Sequence, residues 1–111
     1  MNGADAVSAL LGQSAFSKDF DLKDQLSRSG GRIGPLIAEG FGQTTDRHLA
    51  VYLGRARGSS LETIAHLESA ARKRYISEAE RVEVASSYTA IVKMLTKWMG
   101  YLRESDWDDR G

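Results

Sequence analysis

Apolar residues recur along this chain at spacings of three and four, and the single proline is Pro35. That period marks amphipathic helices, and no long alternating run argues for a strand. The clearest series is Ala85, Tyr88, Val92, Leu95, Met99 and Leu102, a seam of the coiled-coil kind. Ser77 and Glu80 precede it at the spacing of a capping box, which predicts a helix start there. Ile91, Trp98 and Tyr101 fall on a neighbouring face, widening the apolar surface and pointing to a second partner surface. Leu49, Leu53, Ala56, Ser60, Ile64, Leu67 and Ala71 predict another helix, with caps among Thr44, Thr45 and Asp46. Within it, Gly54, Ala56, Gly58, Ser59 and Ser60 form a small-residue patch that lets another helix approach closely.

The upstream pattern is less regular. Leu22, Leu26, Ile33, Ile37 and Phe41 keep roughly helical spacing, with Asp21 as the expected N-cap. Gly30, Gly31, Gly34 and Pro35 interrupt that run. In an isolated helix each Gly costs about 1 kcal/mol and the Pro about 3 kcal/mol. Either the helix kinks there or close packing outweighs the cost, and close packing is the expected role of these glycines. Residues 4–15 predict a short helix around Val7, Leu10 and Leu11, and residues 16–21 a connection. The reading is an all-α chain with four helical segments in one domain, residues 1–103. Residues 104–111 form an acidic tail, expected to be flexible.

Composition narrows the chemistry. The chain has 111 residues and no cysteine, which excludes a disulfide framework, a thiol nucleophile and cysteine-ligated metal. His48 and His66 are the only histidines, 18 positions apart and outside any H-E-x-x-H pattern, so no metal site is expected. No G-x-S-x-G elbow is present, and the glycines at 30, 31 and 34 are not followed by the G-K-[ST] of a phosphate-binding loop. No catalytic residue, cofactor or enzymatic activity is expected. The N-terminal stretch has no positive n-region, and its longest apolar run is Ala9-Leu10-Leu11, so a cytoplasmic protein without a membrane partner is expected.

One segment carries a resemblance. Gln25-Leu26, a small-residue stretch, Ile37-Ala38-Glu39-Gly40-Phe41-Gly42, then Ala56-Arg57-Gly58-Ser59 with Leu61-Glu62, and finally Tyr75-Ile76-Ser77 follow in order. Over about residues 16–103 this resembles the four-helix-bundle proteins encoded in intervening sequences of bacterial large-subunit ribosomal RNA genes. These are related to the accessory variability proteins of diversity-generating retroelements. The resemblance implies an antiparallel up-and-down four-helix bundle, here with a short first helix, and a ring-like homopentamer. It also implies a nucleic-acid-binding or ribonucleoprotein accessory role, with RNA or DNA as partner. The chain departs from the family pattern at Leu36, where a polar Asn is common, and at Gly34, which separates Ile33 from the proline.

Net charge is zero, with 15 basic and 15 acidic residues, which rules out binding nucleic acid through net charge alone. The charges are nonetheless segregated. Residues 28–74 hold eight basic and four acidic side chains, whereas residues 104–111 carry −3. Arg28, Arg32, Arg72, Lys73 and Arg74 are the candidate phosphate contacts, and the last three also suit the negative end of a helix. Tyr52 and Tyr75 lie nearby, with packing the expected role and base stacking the alternative. Glu39, set among apolar residues, is expected to pair with Arg55 and Arg57 across two helices. The alternative overall role is a protein-only interaction scaffold, with Trp98, Tyr101 and the small-residue patch building its interfaces.

Overall fold

The computed structural model describes the backbone of residues 6, 7, 9, 10 and 14–110, and the side chains of residues 6, 7, 9, 10 and 16–104. A single turn, α1 (Ser14–Ser17), leads into three long helices, α2 (Phe20–Phe41), α3 (Asp46–Arg72) and α4 (Glu78–Arg110). The described residues contain no strand, so the fold is all-α. Three long helices stand where four segments were expected. Residues 6, 7, 9 and 10 of the expected first helix are helical, and the rest of 4–13 lies outside the described residues. Helical backbone continues to Arg110, so the acidic segment placed beyond the last helix lies mostly on it. The side chains of 105–110 and all of Gly111 lie outside the described residues.

Helix α3 packs along both α2 and α4, whereas α2 and α4 meet only sparsely. The bundle is elongated, 56 × 22 × 22 Å. Its core gathers Leu22, Leu26 and Ile33 of α2, Leu53, Ala56 and Leu67 of α3, and Val84, Ala85, Tyr88 and Leu95 of α4. Burying a side chain of the Leu class contributes about 1.5–3 kcal/mol. Val7, Leu10 and Phe16 join the same core from the N-terminal side. Phe41, expected inside from its spacing, is instead 62% exposed.

Each long helix has an identifiable start. Asp19, not Asp21, caps α2, its carboxylate accepting the Leu22 N–H at 3.1 Å, so the helix begins before Leu22. Thr45 caps α3 by accepting the His48 N–H at 3.2 Å. Ser77 and Glu80 form the expected capping box, with reciprocal bonds of 3.1 and 2.9 Å.

Pro35 does not end α2, which continues to Phe41. The proline removes the N–H that would bond the Gly31 carbonyl. Both residues are exposed, so water can take that carbonyl. The glycines divide by surroundings. A Cβ on Gly30 would meet the Tyr88 hydroxyl at 3.2 Å, whereas one on Gly31 or Gly34 would meet nothing within 4 Å. Close packing therefore accounts for Gly30 and not for the other two.

The α2–α3 interface is held partly by hydroxyls. Ser29, Ser59, Ser60 and Thr63 are all buried. The Thr63 and Ser29 hydroxyls lie 2.8 Å apart, with the Ser59 carbonyl 2.7 Å from Thr63 and the Leu26 carbonyl 3.3 Å from Ser29 as acceptors. Small polar residues thus let the two helices approach without leaving these hydroxyls unpaired.

Candidate nucleic-acid interface

The five candidate phosphate contacts occupy two places. Arg28 and Arg32 lie one turn apart on the exposed side of α2. Arg72, Lys73 and Arg74 form the end of α3 and the turn into α4.

The α3 terminus explains the second group. Lys73 is the C-cap, and Arg74 has φ 62°. The Tyr75 N–H bonds the Ala70 carbonyl at 2.9 Å, and the Arg74 N–H bonds the Ala71 carbonyl at 3.0 Å. This is a Schellman arrangement, in which glycine usually takes the left-handed position. Arg74 occupies it with a full side chain, at a steric cost of about 1–2 kcal/mol. Its side chain projects from the turn and is exposed.

Three of the five cations are paired. Arg28 lies 3.1 Å from Asp24 one turn earlier, a surface pair worth at most a few tenths of a kcal/mol, ~0.3–0.5. Arg32 reaches across to Glu62 of α3 at 2.9 Å, and the other Glu62 oxygen lies 3.6 Å from His66 Nε2. Lys73 Nζ lies 3.1 Å from Asp19. Arg72 and Arg74 are exposed and make no ion pair among the described residues.

Asp19 was not singled out by sequence and is the best-connected carboxylate in this region. Besides capping α2, it accepts from Lys73 Nζ and, at 2.9 Å, from the Tyr75 hydroxyl. The Tyr75 ring packs on Phe16 with centroids 5.4 Å apart. One side chain therefore ties the start of α2 to the α3–α4 turn and holds the base of the Arg72–Arg74 segment. Asp19 is half-buried, so its carboxylate keeps only partial access to water. The Leu22 amide, then Lys73 and Tyr75, hold its pKa below the usual carboxylate value. The same carboxylate raises the pKa of Tyr75.

The pH consequence has a definite sign. A carboxylate depressed on folding stabilises the protein above its unfolded pKa, about 3.9, and that contribution is lost as pH falls through the folded value. Asp19→Asn is expected to lower the midpoint of urea unfolding at pH 7, and the gap to wild type is expected to close below about pH 4. Urea titrations between pH 3 and 7 check this, and a gap independent of pH contradicts it.

The expected Glu39 clamp is not formed. Glu39 is exposed and makes no ion pair among the described residues. It lies two residues beyond Ile37, about 200° around the helix and away from the buried side. Arg55 instead stacks over the Tyr52 ring at 5.6 Å. Arg57 lies half-buried on α3, with its Nε buried and without a hydrogen-bond partner. Among the described residues, no three His, Asp or Glu side chains converge as a metal site. No described helix is long and apolar enough to cross a membrane.

Comparison with known proteins fits this all-α architecture. A crystal structure of a protein of unknown function from the S23 ribosomal protein family of Bacteroides thetaiotaomicron VPI-5482 superposes with a TM-score of 0.80. The two share 25% identity, over 87% of this chain and 90% of the other. No curated protein matches the sequence. The family model of the 23S rRNA-intervening sequence protein matches residues 1–97. With that match spanning most of the chain, the protein belongs to the 23S rRNA-intervening sequence protein family.

Proposed function

We propose that this protein is a non-enzymatic, cytoplasmic accessory module that binds nucleic acid, RNA or DNA, through the α3–α4 turn. The observation that carries the reading is the turn itself. Arg72 and Arg74 are exposed and without ion pairs among the described residues, on a backbone fixed by the α3 Schellman bonds and the Asp19 contacts. Lys73 is shared with Asp19, so Arg72 and Arg74 are the principal phosphate contacts. Arg28 and Arg32 serve as secondary contacts that exchange their carboxylate partners for phosphate.

The protein works as a homo-oligomer, a pentamer by family resemblance, which repeats the turn around a ring. Several weak phosphate sites then act together through effective concentration, and a neutral protomer binds through a local basic belt. Residues 4–15 complete a four-helix bundle as its short first helix. Val7 and Leu10, 3% and 5% exposed in the shared core, support that placement.

The test uses a variant that preserves the turn. Arg72→Ala with Arg74→Gly removes both free guanidinium groups and puts the preferred residue at the left-handed position. The variant is expected to be at least as thermally stable as wild type and to bind a labelled structured RNA and a matched DNA duplex more weakly. Fluorescence anisotropy at about 50 mM salt measures this. Equal binding by wild type and variant contradicts the reading and leaves a protein-only scaffold. The exposed apolar residues at the far end of α4 favour that alternative.

A further inference from the structure

The large exposed apolar side chains are not scattered evenly. Phe41, Met94 and Tyr101, exposed by 62, 52 and 58%, converge around the half-buried Trp98. The Phe41 and Trp98 rings touch, with centroids 5.2 Å apart. Met94, Trp98 and Tyr101 follow one another at spacings of four and three, so they share a face of α4. On α2, Gly34, Ala38 and Phe41 repeat those spacings, and a Cβ on Gly34 would meet nothing within 4 Å.

The backbone arrangement gives this face a shape. Helices α2 and α4 both pack on α3 and only sparsely on each other, and their apolar residues meet at the Phe41–Trp98 contact. Phe16 is anchored at Tyr75 beside the α3–α4 turn. Helix α2, with 22 residues, runs about 33 Å. Small side chains on α2, Gly34 and Ala38, give this face the close approach that helix packing needs.

Charge identifies the occupant. Between Glu83 and Glu104, α4 carries Lys93, Lys97 and Arg103 and no carboxylate. Lys93 and Lys97 are exposed, one turn apart, and make no ion pair among the described residues. They flank the Met94–Trp98–Tyr101 stripe. We propose that the face built by Gly34, Ala38, Phe41, Met94, Trp98 and Tyr101 docks an amphipathic helix of a protein partner, with an apolar stripe facing Trp98 and acidic residues facing Lys93 and Lys97. A helix fits better than a nucleic-acid strand. Trp98 is half-buried with its ring against Phe41, and Gly34 and Ala38 supply the small side chains against which a helix packs.

The probe is a fluorescein-labelled synthetic peptide of about five turns, with Leu and Trp at helical spacing and Glu along one flank. A control peptide carries Lys in place of Glu. The intact protein is expected to bind the acidic peptide and not the control. Met94→Ala with Tyr101→Ala changes only exposed side chains and is expected to weaken binding at least tenfold, about one decade in Kd. Lys93→Glu with Lys97→Glu is expected to exchange the preference, favouring the Lys peptide. Circular dichroism confirms that both variants are folded. Failure to bind either peptide overturns the proposal. So does binding unaffected by both variants, loss of self-association in Met94→Ala/Tyr101→Ala, or loss of RNA binding in that variant. The last two outcomes reassign the face to a second copy or to nucleic acid. The Arg72/Arg74 variant is expected to keep full peptide binding, so failure at the turn and failure at this face are separately visible.

Discussion

Tyr88→Ala is expected to destabilise the protein by about 3–5 kcal/mol, the range for removing a buried aromatic ring. Tyr88 is 1% exposed and among the largest fully buried side chains. Its hydroxyl, however, is buried without a hydrogen-bond partner. The ring stabilises the core while the hydroxyl bears a desolvation cost of about 1–3 kcal/mol. Tyr88→Phe, which keeps the ring and removes the hydroxyl, is therefore expected to match or exceed wild-type stability. Gly30 couples to it, because a Cβ there would meet that hydroxyl at 3.2 Å. Gly30→Ala is expected to stabilise by up to about 1 kcal/mol in the Tyr88→Phe background and by clearly less in wild type. Urea unfolding of the four proteins closes the cycle, and simple additivity would contradict the contact. Burial also raises the Tyr88 pKa. Its contribution is complete below about pH 10 and falls as pH rises further, a loss absent from the Phe variant.

Gly40→Val is expected to cost about 1–3 kcal/mol, the usual range for overpacking. A Cβ at Gly40 would lie 3.0 Å from Leu49 Cδ1 and 3.1 Å from Tyr52 Cβ. Leu49 and Tyr52 belong to the first two turns of α3, which a side chain at Gly40 would push away. Gly31→Ala faces open space and is expected to stabilise α2 by about 1 kcal/mol, whereas at Gly34 a Cβ would meet the ring of the following Pro35 in the helical conformation and that gain is not expected. Opposite signs for substitutions in one helix, read from thermal unfolding, separate contact from propensity. A loss of stability at both Gly31 and Gly40 would contradict the α2–α3 geometry.

Those glycines show where sequence reading stops. Helix existence was legible because it rests on local periodicity and on caps such as Ser77 with Glu80. The seams through Leu53, Ala56, Leu67, Tyr88 and Leu95 were legible for the same reason. Which glycine touches a neighbour depends on the other helix, so Gly30 and Gly31 look alike in the chain and differ in the fold. Glu39 was misread because apolar neighbours in sequence suggest burial, while the helical angle carries it to solvent. Phe41 keeps the spacing of the buried series, but it ends α2 and turns its ring to Trp98. Asp19 and Lys73 are 54 positions apart, and no spacing rule joins them. Sequence therefore located the basic residues of the turn but not the pairing that divides them. Arg72 and Arg74 are the pair left without carboxylates among the described residues.

The most direct test is the salt dependence of RNA binding. Anisotropy titrations between about 50 and 200 mM salt should give a steep fall in affinity for the wild-type protein. The slope of log K against log salt should drop in the Arg72→Ala/Arg74→Gly variant by about 2 for every turn engaged, about 1 for each lost phosphate contact. A flat salt response, or identical slopes for two equally folded proteins, would contradict a phosphate-binding turn.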